Sequence, residues 1–92
     1  MKRILKYPIE VKEFQTIIIP KGAKILSIQH QMTRLDPSQI VVWALGDTNE
    51  EDEAKELYLF GTGEWVDNDN LNHLATVQKD GYVWHIFETR TA

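Results

Sequence analysis

The sequence predicts an all-β chain: an antiparallel β-sandwich or small barrel of six to seven short strands, with at most one short helical turn. Three observations carry this. Asp80-Gly81 stands between two runs rich in β-branched and aromatic residues, Ala75–Lys79 and Tyr82–Glu88, and a two-residue hairpin turn needs positive φ at both central positions. Turn-forming clusters recur along the chain at Pro20-Lys21-Gly22, Asp36-Pro37-Ser38 and Gly61-Thr62-Gly63. No stretch of ten residues repeats apolar positions at helical spacing, so short strands separated by turns are the remaining reading.

The elements follow in order. Arg3 to Glu10 alternates apolar positions around Pro8, which suits an edge strand because proline cannot donate to a central ladder. Gln15 to Ile19 is a β-branched run stopped by Pro20-Lys21-Gly22. Over Ala23 to Met32 the period of two places Leu26, Ile28, His30 and Met32 on one face and Ile25, Ser27, Gln29 and Gln31 on the other. Thr33 to Gln39 reads as a loop, and Ile40 to Leu45, apolar on both faces, as the centre of a sheet. Lys55 to Phe60 is a further strand, ended by Gly61 and Gly63. Asp67 to Leu74 has cap-type residues before a short apolar spacing and fits one helical turn. The closing hairpin completes the chain.

Ninety-two residues with 42% hydrophobic and 26% charged content suit one globular domain, residues 1–92, with one core. Any site is then a surface groove, a strand end or an interface between copies. A net charge of −4 argues against nucleic acid, whose phosphates require clustered Lys and Arg. There is no cysteine, hence no disulfide, thiolate metal site or thiol nucleophile. The longest apolar runs, Ile17–Ile19 and Ile40–Leu45, fall far short of the roughly 20 residues of a membrane helix, and no signal-peptide pattern follows Met1. A cytoplasmic setting is expected.

Site chemistry is sparse. Ser27 and Ser38 stand in no nucleophile motif, and the three histidines, His30, His73 and His85, match no metal-ligand spacing. His30 and His85 alternate with apolar neighbours and are expected to be partly buried with a hydrogen-bond partner. No catalytic residue, metal ligand or cofactor is assigned. Gly61, Thr62 and Gly63 read as a structural turn, with an anion nest as the sharper alternative; the Gly-Lys-Ser/Thr end of a phosphate loop is missing. The acids Asp47, Glu50, Glu51, Asp52 and Glu53 read as a solvated hairpin tip, or as a lure for a basic surface. Trp43, Trp65, Tyr82 and Trp84 are many aromatics for a small chain, and tryptophan anchors both cores and interfaces. Trp65, amid polar residues, is the aromatic expected to be exposed. In the last strand Tyr82, Trp84 and Ile86 share one face while Val83, His85 and Phe87 form a second apolar face, suited to a covering loop or a partner surface.

The series Lys6-Tyr7-Pro8-Ile9-Glu10-Val11, Gln15-Thr16-Ile17, Pro20 to Gln29, Trp43-Ala44-Leu45, Phe60-Gly61-Thr62-Gly63 and His85-Ile86-Phe87-Glu88, in this order, resembles a family of small uncharacterised proteins encoded largely by bacteriophages and prophages. Glu64 departs from it, standing where a histidine often follows the glycine turn. The resemblance implies an accessory protein of the host cytoplasm. The expected function is a protein–protein interaction module that modulates a host factor, with Trp65, Glu50, Glu51, Asp52, Glu53, Tyr82 and Trp84 as contact residues. Two alternatives stand beside it: an oligomeric small-molecule (nucleotide) binder built around Gly61–Gly63, and a minor virion component. The partner is then a host protein or a second copy of the chain.

Overall fold

The computed structural model describes residues 1–32 and 39–90. Seven strands follow one another: β1 (Arg3–Ile9), β2 (Phe14–Pro20), β3 (Lys24–Gln31), β4 (Gln39–Gly46), β5 (Asp52–Gly61), β6 (Leu71–Lys79) and β7 (Tyr82–Thr89). They form a three-stranded sheet, β1-β4-β3, and a four-stranded sheet, β2-β5-β7-β6, with antiparallel pairing throughout. The two sheets make a flat β-sandwich, 40 × 39 × 16 Å. No described residue is helical, and the Asp67–Leu74 segment expected to turn as a helix instead leads into β6. The cap-type residues there serve a local bend, with the Asn68 side chain accepting from the Asn70 amide.

Alternation decides what each strand buries. Ile17 and Ile19 of β2, Leu57 and Leu59 of β5, Ile86 of β7 and Val77 of β6 face Ile9, Ile28, Ile40 and Val42 of the opposite sheet, and together they are the core. β1 is an edge strand, as Pro8 demands, and β4 is the centre of its sheet. β4 is apolar on both faces: Ile40, Val42 and Ala44 point into the core, while on the outer side Val41 is fully buried and Trp43 and Leu45 are half-buried.

Two further expectations change. A β-bulge between Ile25 and Ser27 resets the alternation of β3, so Ile25 joins Ile28 and His30 on the inner side while Leu26 is 47% exposed. The acidic segment is no hairpin tip, because β4 and β5 belong to different sheets and 47–51 arches between them. Asp47 organises this arch: its carboxylate accepts from the Asn49 amide at 2.9 Å and from the N-terminal ammonium at 3.2 Å. These contacts hold its carboxyl below the ordinary range, the backbone bond being the larger cause. The expected loop Thr33–Gln39, except Gln39, lies outside the described residues, as does Ser38.

The β6–β7 hairpin forms as the sequence predicts. Asp80 and Gly81 take φ of 54° and 83°, the left-handed pair that a tight two-residue turn requires. Across it Lys79 pairs with Tyr82 and Val77 with Trp84, which sets β7 between β6 and β5.

Candidate functional site

The residues that alternate with the core on the four-stranded sheet form its outer face. Tyr58 and Phe60 of β5 alternate with the inward Leu57 and Leu59, and Phe87 of β7 stands beside the inward Ile86. Register brings them together: Phe14 pairs with Tyr58, Tyr58 with Phe87, and Phe87 with His73. The rings touch in an unbroken row across all four strands. Phe14 tilts against Tyr58 at 5.1 Å, Tyr58 lies parallel to Phe60 at 6.5 Å, and Phe87 meets Phe60 edge-on at 5.8 Å and His73 at 5.3 Å. Offset and edge-to-face contacts of this kind each add about 0.5–1.5 kcal/mol beyond area burial. The rings shield one another, yet Phe14 remains 44% exposed.

Beside the row runs a chain of polar contacts. The Thr62 hydroxyl meets His85 Nε2 at 2.9 Å, the Thr76 hydroxyl meets His85 Nδ1 at 3.1 Å, and Thr76 also meets His73 Nε2 at 2.9 Å. A neutral imidazole donates at one nitrogen and accepts at the other, and each hydroxyl does both, so the four side chains order one another. His85 is thus partly buried and satisfied, as expected. His30 is partly buried too, but on the inner side of β3, and its buried Nε2 has no hydrogen-bond partner among the described residues, contrary to expectation. His73 and His85 come together and His30 stays apart. No group of three or more His, Asp or Glu among the described residues is arranged to hold a metal ion.

The glycine turn supplies its own acid. Gly63 adopts φ of 94°, the Glu64 amide donates to the Gly61 carbonyl at 3.2 Å, and the Glu64 carboxylate accepts from the Gly61 amide. The Gly61 amide is thus taken up within the turn, and the Thr62 hydroxyl meets His85. Glu64 thus closes the turn with its own carboxylate.

The other singled-out residues divide between two ends of the sandwich. Trp65 is 90% exposed, the most exposed aromatic, with Tyr82 at 67% beside Trp84. Trp84 packs on the core and covers the end of β5, its ring 3.6 Å from where a Cβ on Gly61 would lie. Glu50, Glu51, Asp52 and Glu53 sit where β5 begins, and Gly61 where it ends. At about 3.3 Å per residue the strand separates the acids from the Trp65 end by roughly 30 Å. The two groups do not form one patch. The sequence reading missed the row Phe14, Tyr58, Phe60, Phe87 and His73; the alternation in β5 held the signal, but only the cross-strand register assembles it.

On the inner side Lys55 and Glu88 make a 2.7 Å ion pair with side chains 24% and 21% exposed. Two depressions are lined by Gln78–Val83 at the hairpin and by Glu53–Glu56 with Thr89, and neither is enclosed. No described helix is long and apolar enough to cross a membrane.

Neither a curated protein nor a solved structure matches the chain. A family model described as "Domain of unknown function (DUF7352)" matches residues 1–92, and the chain belongs to that family.

Proposed function

We propose that the protein is a binding module whose contact surface is the outer face of the four-stranded sheet, and that its partner is another protein. The observation that carries this is the aromatic row from Phe14 through Tyr58, Phe60 and Phe87 to His73. On the four strands the outward charged side chains are Glu56 and, at the rim, Asp52, with His73 and His85 as the titratable bases. Protein interfaces are enriched in aromatic residues and depleted of charge at their centre, which is this composition. The hydroxyls of Thr62 and Thr76 and the two imidazoles supply hydrogen-bonding groups along the rim of the apolar strip.

The resemblance to small bacteriophage-encoded proteins supports a host protein as the partner, met in the host cytoplasm. The exposed acids Glu50, Glu51 and Asp52 then steer approach from one end rather than anchor the complex. The test is a tagged pull-down from bacterial lysate with the wild type, Tyr58→Lys and Glu51→Lys, each first shown to be folded by circular dichroism. A stoichiometric protein retained by the wild type and Glu51→Lys but lost with Tyr58→Lys supports the reading. Equal retention by Tyr58→Lys removes the outer face from the account.

A further inference from the structure

We infer that β2 is a self-pairing edge, and that two copies of the chain join antiparallel through it into one continuous eight-stranded sheet built from two four-stranded ones. The inference is independent of which partner the outer face takes.

The four sheet edges differ in how they are protected. β3 and β6 lie against each other, so each covers the other's side. β1 carries Arg3, Lys6 and Pro8, charges and a missing donor that discourage pairing. β2, Phe14-Gln15-Thr16-Ile17-Ile18-Ile19-Pro20, holds no charged residue; among the described strands its backbone pairs with β5 alone, and β1 of the other sheet approaches it far less closely than β3 and β6 approach each other.

The phase of its hydrogen bonds is fixed by two contacts: the Leu59 amide donates to the Glu13 carbonyl at 3.0 Å, and the Lys21 amide donates to the Glu51 carbonyl at 2.8 Å. Both lie on the β2–β5 register, in which Phe14 faces Tyr58 and Ile19 faces Glu53. In an antiparallel ladder hydrogen-bonded pairs alternate with non-bonded ones, so Gln15, Ile17 and Ile19 bond to β5. The N–H and C=O groups of Phe14, Thr16 and Ile18 therefore point away from the sheet. Pro20 falls in the same phase, so the donor it lacks belongs to the open side, where its absence costs no ladder bond.

This row is self-complementary about Thr16. With a two-fold axis there, Thr16 meets Thr16 of the second copy, and Phe14 meets Ile18 of the second copy on both sides of the axis. Each pair exchanges two backbone bonds, roughly six in all. Phe14 and Ile18 are 44% and 55% exposed and share the outer face with Thr16, so each aromatic ring gains a β-branched cross-strand neighbour that covers it. Glu56, opposite Thr16 on β5, stands three strand spacings from Glu56 of the second copy, about 15 Å, where repulsion is largely screened. The arrangement also joins two aromatic rows into one surface.

The test is sedimentation equilibrium of the full chain over a concentration series, combined with residue-resolved amide exchange. The wild type should rise to twice the 10.7 kDa chain mass, and the amides of Phe14, Thr16 and Ile18 should gain protection as concentration rises. Thr16→Pro removes an outward donor without touching the β5 ladder, and Ile18→Lys places a charge on the edge. Both should stay at the monomer mass with an unchanged circular dichroism spectrum, while Ile4→Lys, on β1, should dimerise like the wild type. A wild type that stays monomeric, or these three amides exchanging freely at all concentrations while Gln15, Ile17 and Ile19 are protected, overturns the inference. So does a dimer that survives both edge variants.

Discussion

Truncating Phe87 tests whether the outer aromatic row is a packed unit or a set of independent surface rings. Phe87 is partly buried, paired in register with both Tyr58 and His73, and in edge contact with Phe60 at 5.8 Å and His73 at 5.3 Å. If about 100 Å² of its ring surface is covered by neighbours, Phe87→Ala loses about 2.5 kcal/mol of apolar burial at ~25 cal/mol per Å². Water fills the vacated space on this open face, so no cavity term adds to it, in contrast to Ile86→Ala on the fully buried side of the same strand, where about 2–5 kcal/mol is expected. A double-mutant cycle with Phe60→Ala isolates the ring pair, and about 1 kcal/mol of coupling is expected from the edge-to-face geometry. Urea unfolding at constant m reads all of these, with Ile4→Ala, at 65% exposure, as a control within about 0.5 kcal/mol. In a chain of this size the loss at Phe87 lowers Tm by about 10 °C or more. A cost at Phe87 no larger than the control, or strict additivity with Phe60→Ala, would refute the packed row.

Four further outcomes follow from other contacts of the fold. Lys55→Met leaves Glu88 without its 2.7 Å partner in a site only about a fifth exposed and should cost about 1–2 kcal/mol in urea unfolding, with Lys55→Met/Glu88→Leu recovering much of the loss. Tyr7 is raised above the ordinary phenol value, first by burial and then by the Asp52 carboxylate, so its contribution is complete below about pH 10 and lost as pH rises further; Tyr7→Phe should flatten the alkaline limb of a stability–pH curve. Asp47 has the opposite sign: its lowered carboxyl stabilises the fold above the ordinary carboxylate range and ceases to do so as pH falls, so Asp47→Asn should reduce acid sensitivity. Once a partner is in hand, charge reversal of Glu50, Glu51 and Asp52 should slow association at low salt and have little effect at high salt, measured by stopped flow; equal rates at every ionic strength would remove the steering role.

How much of this was legible in the sequence depends on the range of the interaction. Asp80-Gly81 specifies its hairpin locally, since two adjacent residues must adopt positive φ, and the structure places them there. Pro8 and the doubly apolar Ile40–Leu45 likewise marked an edge and a centre. The bulge at Ile25/Ser27 left no mark, because the run from Lys24 to Gln31 alternates smoothly on paper and only pairing with β4 forces the extra residue. The second apolar face of β7 was visible from Val83, His85 and Phe87. Its neighbours were not, because the side chains it meets lie on β5 and β6. The His85–Thr62 contact spans 23 residues and His85–Thr76 spans 9, and no local pattern encodes either. Trp65 was read as exposed and is, yet its place at the far end of β5 from the acids separates what composition alone had grouped.

The most direct measurement of the binding claim is site-specific photo-crosslinking in lysate, with a photoreactive phenylalanine analogue at Tyr58 on the outer face or at Trp43 on the outer side of the three-stranded sheet. The account predicts a discrete adduct with a second protein from position 58 and none from position 43. An adduct from position 43 alone would contradict it.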